Sequence, residues 1–413
     1  MPMTPCMRRS ERAGIRRGSP PPDRATWRHA RRPAFAFCDI RCADTLSRRT
    51  GHCTMFGTYI LSHTEMNPGE GMIRAGQVMP AFGALGELGV DAAPLLAGCG
   101  LVRPQIEDPE SAVSLAAACR FMTMCVEATG CAHFGLLAAR HTSPATLGKV
   151  GQLMLAQGDV GSAVCSLIRN LHFTDRGAVP LLDLRDGHTH LGYVISGYHP
   201  WGTAAALDLA IGIGLYLMRE LCGPRWRPGE IWLAHCSPPD PQAYEDFFGC
   251  PVRFNMPYSA LLFPEADLQL RVTRNERGTA RKTREGCGIP KAGEPELHVD
   301  LGPAPPFALQ VKRLLRVLLA IRCCSAPEAA DLMNVHPRTL NRRLAEAGLT
   351  FRRLADDARF DYARTLLHET EMSLTQIATA VGYADPSTFN RRFMKRAGLP
   401  PGRWRNDPPT GAI

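Results

Sequence analysis

Two stretches near the C-terminus of this 413-residue chain are near-copies of each other. Residues 337–349 read PRTLNRRLAEAGL, and residues 386–399 read PSTFNRRFMKRAGL, the same plan with one residue added. Each opens with proline, passes through Thr, an apolar residue, Asn-Arg-Arg and a second apolar residue, and closes on Ala-Gly-Leu. Internal repetition constrains architecture more than composition does. Proline suits the first helical turn, where its missing N–H has no partner to lose, and glycine suits the end, where φ turns positive. The sequence therefore specifies two short basic helices of one design, starting 49 positions apart at Pro337 and Pro386.

Within each copy Leu340/Leu344 and Phe389/Phe393 stand at i and i+4, one stripe for a small core. Ala329, Leu332 and Val335 are expected to pack on the first stripe, and Ile377, Ala378 and Val381 on the second. The opposite faces carry the side chains that serve nucleic acid. Arginine forks guanine, asparagine pairs with adenine, and lysine or serine holds phosphate. Arg338, Asn341 and Arg342 in the first copy, with Ser387, Thr388, Asn390 and Arg391 in the second, are the candidate base contacts; Arg343, Arg392 and Lys395 are the candidate phosphate contacts. Between the copies, residues 351–368 read as one helix, about 27 Å long at 1.5 Å per residue. A rod of that length sets two recognition helices about one DNA turn apart, roughly 34 Å, so one chain can read two successive major-groove segments.

The rest of the chain divides by composition. Residues 1–65 are rich in Arg, Pro and Ser and read as a disordered extension, with Met55, Met66 and Met72 as alternative starts. Residues 73–272 read as an α+β domain. Three- and four-residue apolar spacing predicts helices over 77–88, 109–129, 134–141, 147–155 and 160–173. Two strands, 179–185 and 190–196, flank the turn signal Asp186-Gly187. A long helix over 203–222 follows, then strands near 230–234, 252–255 and 260–263, all expected to be antiparallel. Residues 273–304 have linker composition, and 305–405 are all helical: 307–321, 326–334, 337–346, 351–368, 373–381 and 386–397. The fold class is thus an α+β domain followed by an all-α domain with two helix-turn-helix units joined by a linker helix.

Charge separates along the same boundaries. Residues 1–53 carry a net +8, residues 54–270 a net −8, and residues 305–405 a net +8. A basic C-terminal module on an acidic body points to a polyanion partner for that module alone. The apolar run 203–218 contains Asp208 and falls short of the roughly 20 residues of a membrane span, so it reads as a buried helix. Fifteen irregularly spaced cysteines, without a secretory signal, read as free thiols of a cytoplasmic protein. Cys38, Cys42 and Cys53 with His52 lack the second pair of a zinc site. No Gly-x-Ser-x-Gly, phosphate-cradling loop or His-Glu-x-x-His is present, so the chain reads as a non-enzyme with no cofactor or metal. His188 and His190 are expected at a strand edge, and Tyr193, Tyr198, Trp201 and Tyr216 either line a pocket or fill the core.

Residues 305–405 resemble the AraC/XylS transcription regulators. The likeness is densest in SLTQIATAVGYADPSTFNRRFMKRAGLPPGRWR, residues 373–405. It implies two helix-turn-helix units on a linker helix, with Arg342 and Arg391 where family members commonly touch bases. Residues 73–272 are similar to the sensor domain called arabinose-binding, through Phe134-Gly135-Leu136, Thr146-Leu147-Gly148 with Gly151, Trp226-Arg227-Pro228 and Phe248-Gly249-Cys250-Pro251-Val252. That likeness implies effector binding and a homodimer, without implying arabinose. The expectation is a sequence-specific regulator, an activator responsive to a small effector of unidentified chemistry. Its partners would be double-stranded promoter DNA and RNA polymerase, not a membrane. Two other readings compete: a thiol- or metal-responsive regulator or repair-type methyl acceptor using the tail cysteines, and a structural nucleoid protein indifferent to sequence.

Overall fold

The computed structural model of the protein describes residues 71–273, 306–321, 324–333 and 335–407. The segment 1–65 with its cysteines, and all of the linker but its first residue, lie outside them. The first part opens with β1 (Met72–Arg74), α1 (Pro80–Glu87), α2 (Ala93–Gly98), α3 (Arg103–Glu107), β2 (Ala112–Ser114) and α4 (Leu115–Thr129). Next come α5 (Phe134–Ala139), α6 (Lys149–Leu155), α7 (Val160–Asn170), β3 (Ala178–Arg185), β4 (His188–Ile195) and α8 (Ala204–Cys222). It closes with β5 (Glu230–Trp232), α9 (Gln242–Phe248), β6 (Val252–Arg253) and β7 (Ser259–Pro264).

Helix α8 is the spine of this part. Its first half gives Ala205, Leu207 and Leu209 to a core shared with α1 and α4. Its second half gives Ile211, Leu215, Met218 and Leu221 to a core shared with α7, α9 and the sheet. A helix apolar on nearly every side must be surrounded, which is why it runs through the middle. Helix α5 crosses it closely because Gly135 has no side chain: a Cβ there would lie 2.3 Å from the Ala205 carbonyl oxygen.

The five strands form one sheet in the order β3-β4-β7-β5-β6. Hairpin β3–β4 turns at Asp186 and Gly187, whose φ of 50° and 76° are those a tight two-residue turn demands. Two expectations fail here. The strands are not all antiparallel, because β5 and β6 pair in parallel across the α9 crossover. Nor does β4 lie at an edge; it pairs with β3 on one side and β7 on the other, and His190 is buried. The span 109–129 also divides, since Ala112–Ser114 pair with Met72–Arg74 as strands and the Ser114 hydroxyl caps α4. Among the described residues no helix is long and apolar enough to cross a membrane.

The second part consists of α10 (Phe307–Ala320), α11 (Ala326–Leu332), α12 (Pro337–Glu346), α13 (Phe351–Glu369), α14 (Leu374–Ala380), α15 (Pro386–Ala397) and α16 (Pro401–Asn406). It meets the first part along a polar seam. Arg313 of α10 donates to the Ala178 carbonyl at 3.0 Å, and Tyr362 of α13 donates to the Pro257 carbonyl at 2.5 Å. Glu369, the last residue of α13, accepts from the Thr203 backbone N–H at 2.5 Å and from its hydroxyl at 3.2 Å. Arg316 places its guanidinium 3.6 Å from the Tyr362 ring centre, and burial pushes its pKa down to about 10.

Asp208, the one buried acid in the apolar helix, is fully engaged. It accepts from the Tyr244 hydroxyl at 2.7 Å and pairs with His235 Nε2 at 2.9 Å. Burial, the largest single influence, would lower the His235 pKa, but Asp208, the Cys236 carbonyl and Glu369 together outweigh it and raise it above 6.5. A histidine with a raised folded pKa contributes stability that is complete below the unfolded value and lost as pH rises through the folded one. The melting temperature should therefore fall as pH climbs above 6.5, and His235→Gln should flatten that slope. Unchanged slopes in calorimetric scans of both proteins would remove His235 from the account.

Candidate nucleic-acid interface

Helices α12 and α15 are built alike from the residues upward. Each is preceded by an extended capping residue and opens on proline. His336 caps α12 by accepting the Arg338 N–H at 3.2 Å. Asp385 caps α15 by accepting from the Ser387 N–H at 3.2 Å, the Thr388 N–H at 2.8 Å and the Thr388 hydroxyl at 2.9 Å. Those bonds, led by the Thr388 N–H, hold the Asp385 carboxyl below the usual range. Neither cap was picked out from the sequence, although His-Pro and Asp-Pro ahead of a helical pattern carried the signal.

The apolar stripes behave as expected. Leu340, Leu344, Phe389 and Phe393 are buried, as are Ala329, Leu332, Ile377, Ala378 and Val381, and Val335 is half-buried. Phe393 carries on to the Phe360 ring of α13 at 5.2 Å and the Trp404 ring of α16 at 6.1 Å. With one side of each helix fixed, the other faces outward. Arg338, Asn341, Arg342, Arg343, Ser387, Asn390, Arg391, Arg392 and Lys395 are exposed, and Thr388 is half-buried with its hydroxyl committed to the cap.

Several of these cations are already oriented. Arg342 pairs with Glu346 one turn on at 2.7 Å, and Arg343 lies 5.3 Å from the Phe307 ring centre. Arg392 donates to both carboxylate oxygens of Asp356 on α13 at 3.3 Å, and Arg396 reaches Asp357 at 2.5 Å. Exposed pairs of this sort are worth about 0–1 kcal/mol, so a phosphate can replace either carboxylate at little cost. Among the described residues no ion pair engages Arg338, Arg391 or Lys395. The linker helix α13 is 19 residues, about 28 Å long, close to the roughly 34 Å turn of a duplex. The arrangement presents two exposed, cationic, amide-bearing helix faces, one before and one after this helix in the chain.

Of the described cysteines, Cys99, Cys119 and Cys125 are buried and Cys236 is exposed, and desolvation raises the thiol pKa of each of these four. Among the described residues no cluster of three or more His, Cys, Asp or Glu is placed to hold a metal.

Residues 89–272 match the model of the N-terminal arabinose-binding domain of AraC transcription regulators. Residues 329–407 match that of a helix-turn-helix domain. The chain is 27% identical over 352 residues to the HTH-type transcriptional regulator VirS of Mycobacterium tuberculosis, covering 81% of this chain and 96% of VirS. It is 26% identical over 280 residues to the ornithine utilization regulator of Pseudomonas aeruginosa, covering 66% of this chain and 78% of that protein. It is 30% identical over 119 residues to the transcriptional activator RhrA of Rhizobium meliloti, covering 27% of this chain and 38% of that one.

The division of labour between the two sides of α15 is testable. Phe389→Ala removes a buried ring and should cost about 3–5 kcal/mol of stability. Arg391→Ala, on the exposed face, should stay within about 0.5 kcal/mol. Urea unfolding of both variants checks this; a large loss at Arg391 would mean the outer face is structural.

Proposed function

The chain belongs to the AraC family of helix-turn-helix transcription regulators, and on that footing we propose that it is an effector-responsive activator reading two successive major-groove segments of promoter DNA. The observation that carries this is the pair of capped helices, each buried along one stripe and cationic along the other, on a common rod. Residues 305–405 form the DNA-binding domain, residues 73–272 the sensing domain and 273–304 the linker. In this reading Arg338, Asn341, Arg342, Ser387, Thr388, Asn390 and Arg391 meet base edges, Thr388 through its methyl group because its hydroxyl is engaged. Arg343, Arg392 and Lys395 meet phosphates, with Arg392 exchanging Asp356 for the DNA backbone.

The two half-sites are unlike. Asn-Arg-Arg is common to both helices and gives a common docking pose, whereas Arg338 stands where Ser387 stands in the second copy. RNA polymerase is the partner that an activator bound beside a promoter recruits, the cytoplasm is where it works, and a homodimer formed through the sensing domain completes the assembly. The proposal assigns the chain no catalytic step.

Arg342→Ala and Arg391→Ala should each cost about 1–3 kcal/mol on the cognate site and relax its sequence choice. Arg343→Ala and Lys395→Ala should weaken binding to all sequences and lower the salt slope by about one ion each. Anisotropy titrations on genomic fragments selected by the wild-type protein, run against random duplex over a range of salt, decide the matter. Equal losses on cognate and random DNA for Arg391→Ala would defeat its role as a base reader.

A further inference from the structure

Inside the sensing domain, between α8 and the sheet, lies a cavity of about 90 Å3. Its walls are hydrocarbon: Ala210, Ile213 and Leu217 from α8, Leu167 from α7, and Leu191 and Leu261 from the sheet. For scale, an engineered apolar cavity of roughly 150 Å3 stays dry and takes up benzene or xenon. This one is smaller but open to solvent on one side, so a single-ring guest seats its ring only in part and its polar group near the opening. At one end the wall becomes polar, with Gln77, Tyr193 and Asp175. Gln77 Nε2 donates to the Thr174 carbonyl at 3.1 Å, and the Tyr193 hydroxyl donates to Asp175. Asp175 also accepts the N–H groups of Gly177 at 2.8 Å and Ala178 at 2.9 Å.

Ionisation at this end is disfavoured. Asp175 is buried, and burial raises its carboxyl pKa despite the Tyr193 hydroxyl, the backbone N–H groups and Arg313, which donates to the neighbouring Ala178 carbonyl at 3.0 Å. A charged guest would lose hydration against the hydrocarbon wall, and an anionic one would also face the Asp175 carboxyl. An uncharged guest meets no such penalty. Its body enters the hydrocarbon end, and a single polar atom meets Gln77 or the Tyr193 hydroxyl, the division of labour usual in small-molecule sites.

We propose that this cavity is the effector site, and that it takes a compact, uncharged, mostly hydrocarbon compound bearing one hydroxyl or carbonyl group. The inference rests on the effector-responsive reading above and gives that reading its ligand chemistry. One wall of the cavity adjoins the DNA-binding domain, and another belongs to a helix anchored to it. Asp175 stands beside Arg313 of α10, and the helix that supplies Ala210, Ile213 and Leu217 has its N-terminal Thr203 held by Glu369 of α13. A guest that shifts Tyr193 or α8 therefore acts on α10 and α13, the two helices that carry the recognition units.

The test uses the full chain without DNA and three single-ring probes: benzyl alcohol, benzoate and benzylammonium. Titration calorimetry should show saturable binding of benzyl alcohol and at least tenfold weaker binding of both ions. Ala210→Phe, which fills the cavity from α8, should abolish the heat, and Ile213→Phe provides a second fill where the first does not fold. Hydrogen exchange should report altered protection in residues 307–320 and 351–369 on adding benzyl alcohol to the wild type. Equal binding of the three probes, no binding of benzyl alcohol, or undiminished binding by a folded filled variant would each overturn the assignment. Because these readouts contain no DNA, their failure leaves promoter recognition standing. A failure of promoter recognition in the preceding titrations likewise leaves the cavity result standing.

Discussion

A helix N-terminus leaves backbone N–H groups without partners, and a buried carboxylate needs donors. Glu369 and Thr203 solve both problems at once, across a domain boundary. The carboxylate at the end of α13 accepts the N–H and hydroxyl of the residue that precedes α8, while the Glu369 carbonyl accepts the Cys236 N–H at 2.7 Å. Neither group is satisfied without the other. The C-terminal end of the rod that spaces the two recognition units is thereby part of the sensing domain's own hydrogen-bonding. Removing one partner of such a buried pair leaves the other unsatisfied, which is more costly than never having had the pair.

The rod is consequently divided by face. One face belongs to the sensing domain through Tyr362 and Glu369. Another belongs to the DNA reader, where Asp356 and Asp357 hold Arg392 and Arg396 of α15, and the Phe360 ring lies tilted against Phe393. A charged hinge on an apolar contact is adjustable in a useful way. The ring contact fixes where α15 lies, and the exposed ion pairs aim its arginines without the strength to compete with a phosphate.

What could be read in the sequence follows the same logic. The recognition helices were legible because near-identical segments with proline ahead and glycine behind leave a helix as the consistent choice, and their stripes then fixed which faces point outward. The β3–β4 hairpin was legible from Asp186-Gly187, and α8 from its uninterrupted apolar run. Local pattern failed where distant pairing decides. Residues 112–114 fit a helical period and yet pair with residues 72–74, and the parallel β5–β6 contact exists only because α9 carries the chain across. The Asp208, His235 and Tyr244 network, the Glu369 cap and the cavity are each assembled from residues far apart in sequence. No spacing rule reaches them.

The two recognition units are near-copies but are not held alike, and this bears on how sensing reaches DNA. Helix α15 is fixed to α13 by two ion pairs and an aromatic contact. Helix α12 has its Arg343 against Phe307, the first residue of α10, and α10 in turn reaches the sheet through Arg313 at the Ala178 carbonyl. The first unit is thus tied to β3 and Asp175, and the second to the N-terminus of α8. The first tie begins at the cavity wall, through Asp175; the second begins at Thr203, on the helix whose later residues supply another part of that wall. A ligand can bias two states only by its differential contact with them, and on the proposal above a guest would touch the first route directly and the second through α8. A displacement at the sheet end acts on the first unit, and one at α8 acts on the second. On the proposals above, the spacing of the two segments read is then the quantity on which a ligand would act, while the affinity of each helix for its own segment would be left to the side chains on its outer face.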